Sequence, residues 1–259
     1  MESTQLEGRI AVISGASAGI GEATARCLAA RGARVVINAR RSERLEKIVL
    51  ELDRDGQRAV CVPGDVSRPE IIAAMLAASR NSFGRDADIY VVNAGRGLGG
   101  SVVSSDFAQW EEMFRTNITG ALLFMREAAK LLIADSDRDS WPGRPRDIVV
   151  LGSNVGRNIS PFSSLYGTSK FAVGSAAEAL RRELAPKGIR VTLVLPGIVV
   201  SEFQAVAGYD SEWFSEFEKR SGPFLVPRDI AEAICYVVSQ PSRVCINEIM
   251  VRPTRQEYP

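Results

Sequence analysis

Tyr166-Gly167-Thr168-Ser169-Lys170 places a phenol and an ammonium four residues apart in a segment of helical period. At that spacing both side chains face one side of a helix and couple electrostatically. A phenol titrates near pH ~10, and a neighbouring cation stabilises the phenolate and eases loss of its proton. Such a pair can give and take a proton. The chain contains no histidine, which removes His-based triads, H-E-x-x-H zinc sites and imidazole acid/base chemistry. No metal site is expected.

A second constellation is Ser14-Gly15-Ala16-Ser17-Ala18-Gly19-Ile20-Gly21, between a strand-like run and an Ala-rich helical stretch. A phosphate-binding turn and a helix N-terminus belong there, because glycines let the backbone approach a pyrophosphate. A site preferring NAD places a carboxylate about 20 residues further on, against the ribose 2′-hydroxyl. Here the chain reads Asn38-Ala39-Arg40-Arg41. Arginine offers a planar, permanently charged donor set suited to a 2′-phosphate. NADP(H) is therefore expected in preference to NAD(H), and its oxidised nicotinamide would also favour the Tyr166 phenolate.

The elements that must position these residues follow from hydrophobic periodicity. Strand-like runs occupy 10–13, 35–37, 60–62, 89–92, 148–151, 191–195 and 246–251, with helical stretches between them. That alternation predicts an α/β chain with a doubly wound parallel sheet of about seven strands, helices on both faces and ligands at the carboxyl ends. Ser67-Arg68-Pro69-Glu70 and Asp106-Phe107-Ala108-Gln109 read as capping boxes, and Gly32 and Gly188 as helix stops. No linker divides the 259 residues, so one domain is expected, with a surface insertion at 135–146.

Composition narrows the function classes. With 32 basic against 31 acidic residues, 46% hydrophobic and 24% charged, the chain is an ordinary globular one with no net attraction to nucleic acid or anionic membranes. Residues 1–8 lack a basic and apolar leader pattern, and apolar runs break before the ~20 residues of a membrane span. Cys27, Cys61, Cys235 and Cys245 are far apart in sequence among apolar neighbours, which fits reduced core thiols and a cytoplasmic setting.

Taken together, the glycine turn, Asn93-Ala94-Gly95 after the fourth strand, Asn117, Ser153, Tyr166-x-x-x-Lys170 and Pro196-Gly197 resemble the short-chain dehydrogenase/reductase family, from about Gly8 onward. The resemblance implies a single Rossmann-type domain, with a cofactor half over about 1–150 and a catalytic half over about 151–259. It implies that Tyr166 donates a proton to the substrate oxygen, Ser153 places that oxygen, Lys170 holds the nicotinamide ribose, and Asn117 supports a relay through water. Cofactor contacts carry over to Gly15, Ser17, Ala18, Gly19, Ile20, Gly21, Arg40, Arg41, Asp65, Val66, Asn93, Ala94, Gly95, Pro196, Gly197, Ile198, Val199 and Ser201. Ser14, Val92 and Ser201 depart from the family's commoner residues.

Residues 201–226 correspond to the family's substrate-covering lid. Trp213, Phe214 and Phe217, at helical spacing, fit either an apolar substrate pocket or packing against the domain or a neighbouring subunit. The segment 246–254 is similar to the branch containing 3-hydroxy-acid dehydrogenases and clavaldehyde reductase, and lacks the Gly-Gly tail of 3-oxoacyl-carrier-protein reductases. The resemblance thus implies a small-molecule carbonyl or alcohol substrate. A carrier-protein-type reductase and a non-enzymatic NADP(H)-sensing regulator stand as alternatives. Apolar and small residues over 106–134 and 164–184 match the helices through which the family pairs, implying a homotetramer or homodimer.

Overall fold

A computed structural model describes residues 5–53, 58–136 and 143–257. Much of the expected insertion at 135–146 lies outside these residues. The seven strands are β1 (Ile10–Ser14), β2 (Arg34–Ala39), β3 (Ala59–Pro63), β4 (Ile89–Val92), β5 (Asp147–Leu151), β6 (Arg190–Pro196) and β7 (Glu248–Val251). They form one parallel sheet in the order β3-β2-β1-β4-β5-β6-β7. Within it Val12 stands between Val36 and Tyr90.

Both faces are covered, which explains why the strands read as continuous apolar runs. On one face Ala11 and Ile13 pack with helices α1 (Gly19–Ala30) and α2 (Ser42–Leu52) and with the late helix over Pro227–Val238. On the other, Ile10 and Val12 pack with α3 (Pro69–Phe83), the helix over Ala121–Ser136 and the helix over Ser164–Leu184. Between β4 and β5 the chain forms α4 (Trp110–Phe114), a π-helical turn over Arg115–Gly120, and α5 (Ala121–Ser136). The remaining helices are α6 (Ser164–Leu184), α7 (Phe203–Val206), α8 (Ser211–Ser221) and α9 (Pro227–Val238).

Three local expectations are corrected. The Ser67 capping box does not form: α3 starts at Pro69 after Arg68, and Ser67 instead donates its backbone N–H to Asp65 Oδ1 (2.9 Å). At Asp106 the side chain caps Ala108 N, but Gln109 returns a side-chain contact to Asp106 rather than to its backbone. The last strand starts at Glu248 rather than Ile246, whose carbonyl accepts from the Thr192 hydroxyl (2.6 Å).

The cysteines also differ from a set of separate core thiols. Cys27 on α1 and Cys235 on α9 are both buried and their sulfurs lie 2.9 Å apart, whereas Cys61 is half-buried and Cys245 exposed. Packing of α1 against α9 brings the first pair together. Among the described residues no helix is long and apolar enough to cross a membrane.

Candidate active site

The order of the sheet reverses at β1, which lies between β2 and β4, and a crevice opens there at the carboxyl ends of the strands. Its first wall is the turn after β1. Gly15 (φ +68°) lies against the neighbouring loop, where an added Cβ would stand 2.7 Å from Ala94 Cα. Only glycine tolerates both the left-handed backbone and that approach. Asn93 clamps the turn by donating from Nδ2 to the carbonyls of Ser14 (2.9 Å) and Gly15 (3.0 Å). The Ser14 hydroxyl accepts from the N–H groups of Asn93 and Ala94. Thus the serine still serves as an anchor.

Most of the expected cofactor residues face one cavity of about 680 Å³: Gly15, Ser17, Ala18, Gly19, Ile20, Arg40, Arg41, Asp65, Val66, Asn93, Ala94, Gly95, Pro196, Gly197, Ile198, Val199 and Ser201. Gly21 does not line it and packs behind, against Gly15 and Asn93. The Ser201 hydroxyl accepts from Phe203 N (3.2 Å) and so caps α7.

Arg40 and Arg41 take different positions. Arg41 donates from Nε and Nη2 to the Ser17 hydroxyl (3.1 and 3.0 Å) and pairs through Nη1 with Glu202 (2.8 Å), which also holds Arg44. Arg40 is 69% exposed and pairs with Glu112 (3.1 Å), a carboxylate shared with Arg96. No carboxylate ends β2, and Asn38, which lines the cavity, donates from Nδ2 to the Val62 and Gly64 carbonyls. Burial opposes the Asp65 charge, but the N–H of Ser67 holds its carboxyl below the usual range.

Ser153, Tyr166 and Lys170 share the same cavity. Ser153 follows β5, while Tyr166 and Lys170 project from α6. Lys170 Nζ lies 5.7 Å from the Tyr166 ring centre and donates to the Leu151 carbonyl (2.8 Å). Burial lowers the Lys170 pKa to about 8. In the protein alone the Tyr166 pKa is raised: burial disfavours the phenolate, Tyr209 adds to this, and the Ser153 hydroxyl opposes it. Desolvation therefore outweighs the lowering expected from the Tyr166/Lys170 spacing.

Asn117 stands behind this wall. Its Oδ1 accepts from Arg96 N (2.8 Å), and its Nδ2 donates to the Arg96 carbonyl (2.9 Å) and the Ser169 hydroxyl (3.0 Å). The π-helical turn carries it, one extra residue per turn redirecting the side chain toward α6. Asn117 thus ties the Gly95-Arg96 backbone to the helix that bears Tyr166 and Lys170.

Several cavity residues were absent from the sequence reading. Asn154 is buried beside Ser153, whose hydroxyl donates to its Oδ1 (3.3 Å), while its Nδ2 has no protein partner. Its polar type next to Ser153 was the available signal. Gln256 reaches in from the C-terminal segment, its Oε1 accepting from Ile198 N (3.0 Å). Glu202 joins the site through Arg41 and Arg44. Neither contact has a local sequence signature.

A model of the short chain dehydrogenase family matches residues 9–211. An uncharacterized oxidoreductase of Staphylococcus aureus (strain MW2) is 32% identical over 250 residues, covering 96% of this chain and 99% of that protein. Among solved structures, the closed form of serine dehydrogenase complexed with NADP+ aligns with 29% identity and a TM-score of 0.85, over 96% of both chains. A 3-ketoacyl-(acyl-carrier-protein) reductase from Brucella melitensis complexed with NADH aligns with 28% identity and a TM-score of 0.85, covering 96% of this chain and 99% of that one.

Proposed function

The chain belongs to the short chain dehydrogenase family, and from that premise we propose that it is an NADP(H)-dependent oxidoreductase interconverting a carbonyl compound and its alcohol. The observation that carries this reading is the convergence of Ser153, Tyr166 and Lys170 on the cavity that the glycine turn also lines. Gly15 and Gly19 line the cavity, where a glycine turn lets backbone approach a pyrophosphate, and Ser17, Arg40 and Arg41 form a donor set for a 2′-phosphate. When bound, the nicotinamide supplies or accepts the hydride.

Within this reading the protein's own groups manage the proton. Tyr166 holds it on the phenol oxygen, since burial keeps the phenol neutral, and delivers it to the substrate oxygen during reduction. Ser153 positions that oxygen, and Asn154 orients Ser153. Lys170, fixed on Leu151, contributes a cation beside the phenol and donors for the nicotinamide ribose. Asn117 acts through the backbone of Arg96 and through α6.

The similarity of 246–254 to the 3-hydroxy-acid dehydrogenase and clavaldehyde reductase branch supports a small or medium aldehyde or ketone over a carrier-bound acyl chain. Assembly as a homotetramer through α5 and α6 belongs to the same proposal, supported by Leu122 and Phe171, which those helices leave exposed. A monomer mass in light scattering at micromolar concentration would remove it.

The test of the reaction is NADPH and NADH oxidation against a panel of aldehydes and ketones, with Tyr166→Phe in parallel. The variant is expected to retain NADPH binding and lose turnover by about 10²–10⁴-fold. Full activity of Tyr166→Phe overturns the proton-donor assignment.

A further inference from the structure

The cavity that serves the proposed reaction divides sharply by charge. Toward the ends of β2 and β3 it is lined by Arg40, Arg41, Asp65, Arg96 and Glu202. These groups engage one another or nearby partners: Arg40 and Arg96 on Glu112, Arg41 on Ser17 and Glu202, Asp65 on Ser67 N. Lys170, the charged group beside Tyr166 among the described residues, is held on the Leu151 carbonyl.

From Tyr166 outward the lining changes to rings. Phe203 lies 5.4 Å from the Tyr166 ring, Tyr209 6.2 Å from Trp213 and 6.1 Å from Phe214, and Phe217 stacks on Trp213 at 5.2 Å and 27°. Polar groups here are uncharged, including Asn154 with its partnerless Nδ2 and Gln256. Apart from Lys170 beside Tyr166, among the described residues no Lys or Arg side chain lines this part of the cavity. Arg220 packs on Phe217 (5.7 Å) but is exposed and does not line it. Trp213 remains 53% exposed and Phe162 79% exposed although both face the cavity. A flat apolar body would withdraw that surface from water.

We propose that the substrate is an uncharged carbonyl compound, or its alcohol, with an aromatic or similarly flat apolar body, and that carboxylate- or phosphate-bearing compounds are rejected. This deepens the oxidoreductase reading and rests on it. A carboxylate drawn among these rings would lose its hydration without gaining a cation, a cost that corresponds to discrimination of at least about 100-fold. The chain therefore keeps the aldehyde and ketone side of the branch that its C-terminal segment resembles and leaves the hydroxy-acid side.

The test uses probes of matched shape: methyl phenylglyoxylate against phenylglyoxylate, and methyl acetoacetate as a non-aromatic ester. With NADPH, kcat/KM is expected to be at least about 100-fold higher for the aromatic ester than for its acid. It is expected to be higher for the aromatic than for the aliphatic ester. Turnover of the acid at an equal or higher rate overturns the proposal while leaving the oxidoreductase reading intact. If none of the probes is reduced, quenching of tryptophan fluorescence by methyl mandelate and mandelate decides separately. Quenching by the ester alone, lost in Trp213→Phe, supports the pocket; equal quenching by both, or by neither, overturns it.

Discussion

At the amino-terminal edge of the sheet, Arg9, Asp88, Asp147 and Arg190 stand where β1, β4, β5 and β6 begin, all buried. Arg9 bridges Asp88 (2.5 Å) and Asp147 (2.8 Å), and Arg190 grips both oxygens of Asp147 (2.7 and 2.8 Å). Arg190 also donates to the carbonyls of Val238, Gln240, Pro241 and Val244. At the opposite edge of the same strands, Lys170 is equally buried with one carbonyl partner, and Asn154 Nδ2 has none. The contrast separates two uses of buried polarity. Ion-paired groups register neighbouring strands, with Asp88 Oδ2 held by the Arg85 guanidinium (2.9 Å), whereas groups without an ionic partner leave bonding capacity beside the cavity.

The largest expected effect attacks the ion-paired edge. Asp147→Ala leaves Arg9 and Arg190 without their shared carboxylate and should lower unfolding stability by about 3–5 kcal/mol, read by urea titration. A loss below about 1 kcal/mol would show that water replaces the pair and would break the comparison.

A smaller effect is expected where charge meets solvent, at the cofactor end. Arg40→Ala should weaken NADPH by about 1.5–3 kcal/mol, or about 10- to 150-fold, and leave NADH nearly unchanged, as measured by direct titration. Equal losses for both cofactors would remove the 2′-phosphate role.

The third test compares edges through pH. Lys170 titrates at about 8 in the folded protein against 10.5 ordinarily. Between those values the unfolded chain binds the proton and the folded one does not, so stability rises with pH across that window. Below pH 8 the cost of the buried charge is fully present. Lys170→Met should remove this rise, worth about 1–3 kcal/mol, in cofactor-free melts at pH 7.5 and 10. Parallel curves for both proteins would show that Lys170 is solvated.

The smallest effect sharpens the contrast. Asn154→Leu removes the amide whose Nδ2 lacks a partner and should change stability by no more than about 1 kcal/mol while lowering turnover, because Ser153 loses its orienting oxygen. A large destabilisation would place Asn154 with the structural edge.

Much of the frame was legible in the chain. Apolar runs such as 10–13 and 35–37 became β1 and β2 because strands covered on both faces need no polar alternation. The glycine turn and Tyr166/Lys170 were legible because each depends on neighbours within a few residues. The Ser67 capping box and the reciprocal half of the Asp106 box do not form, since spacing alone does not determine which N–H a side chain reaches, whereas Asp106 does cap its helix. The π-helical turn at Asn117 left no mark in a periodic segment, and the Cys27/Cys235 approach depended on α1 meeting α9.

By itself, then, the sequence determined the alternation of strands and helices, the absence of imidazole chemistry, the glycine turn and the phenol-ammonium pair. These rest on local sterics, periodicity and residue type. Tertiary structure decided the four-residue charge lattice below the strands, the turning of Asn117 away from the cavity, the sharing of Glu112 and Glu202 among arginines, and the rise of the Tyr166 pKa. Each of these depends on distances and desolvation between segments remote in the chain, which hydrophobic pattern and spacing do not encode.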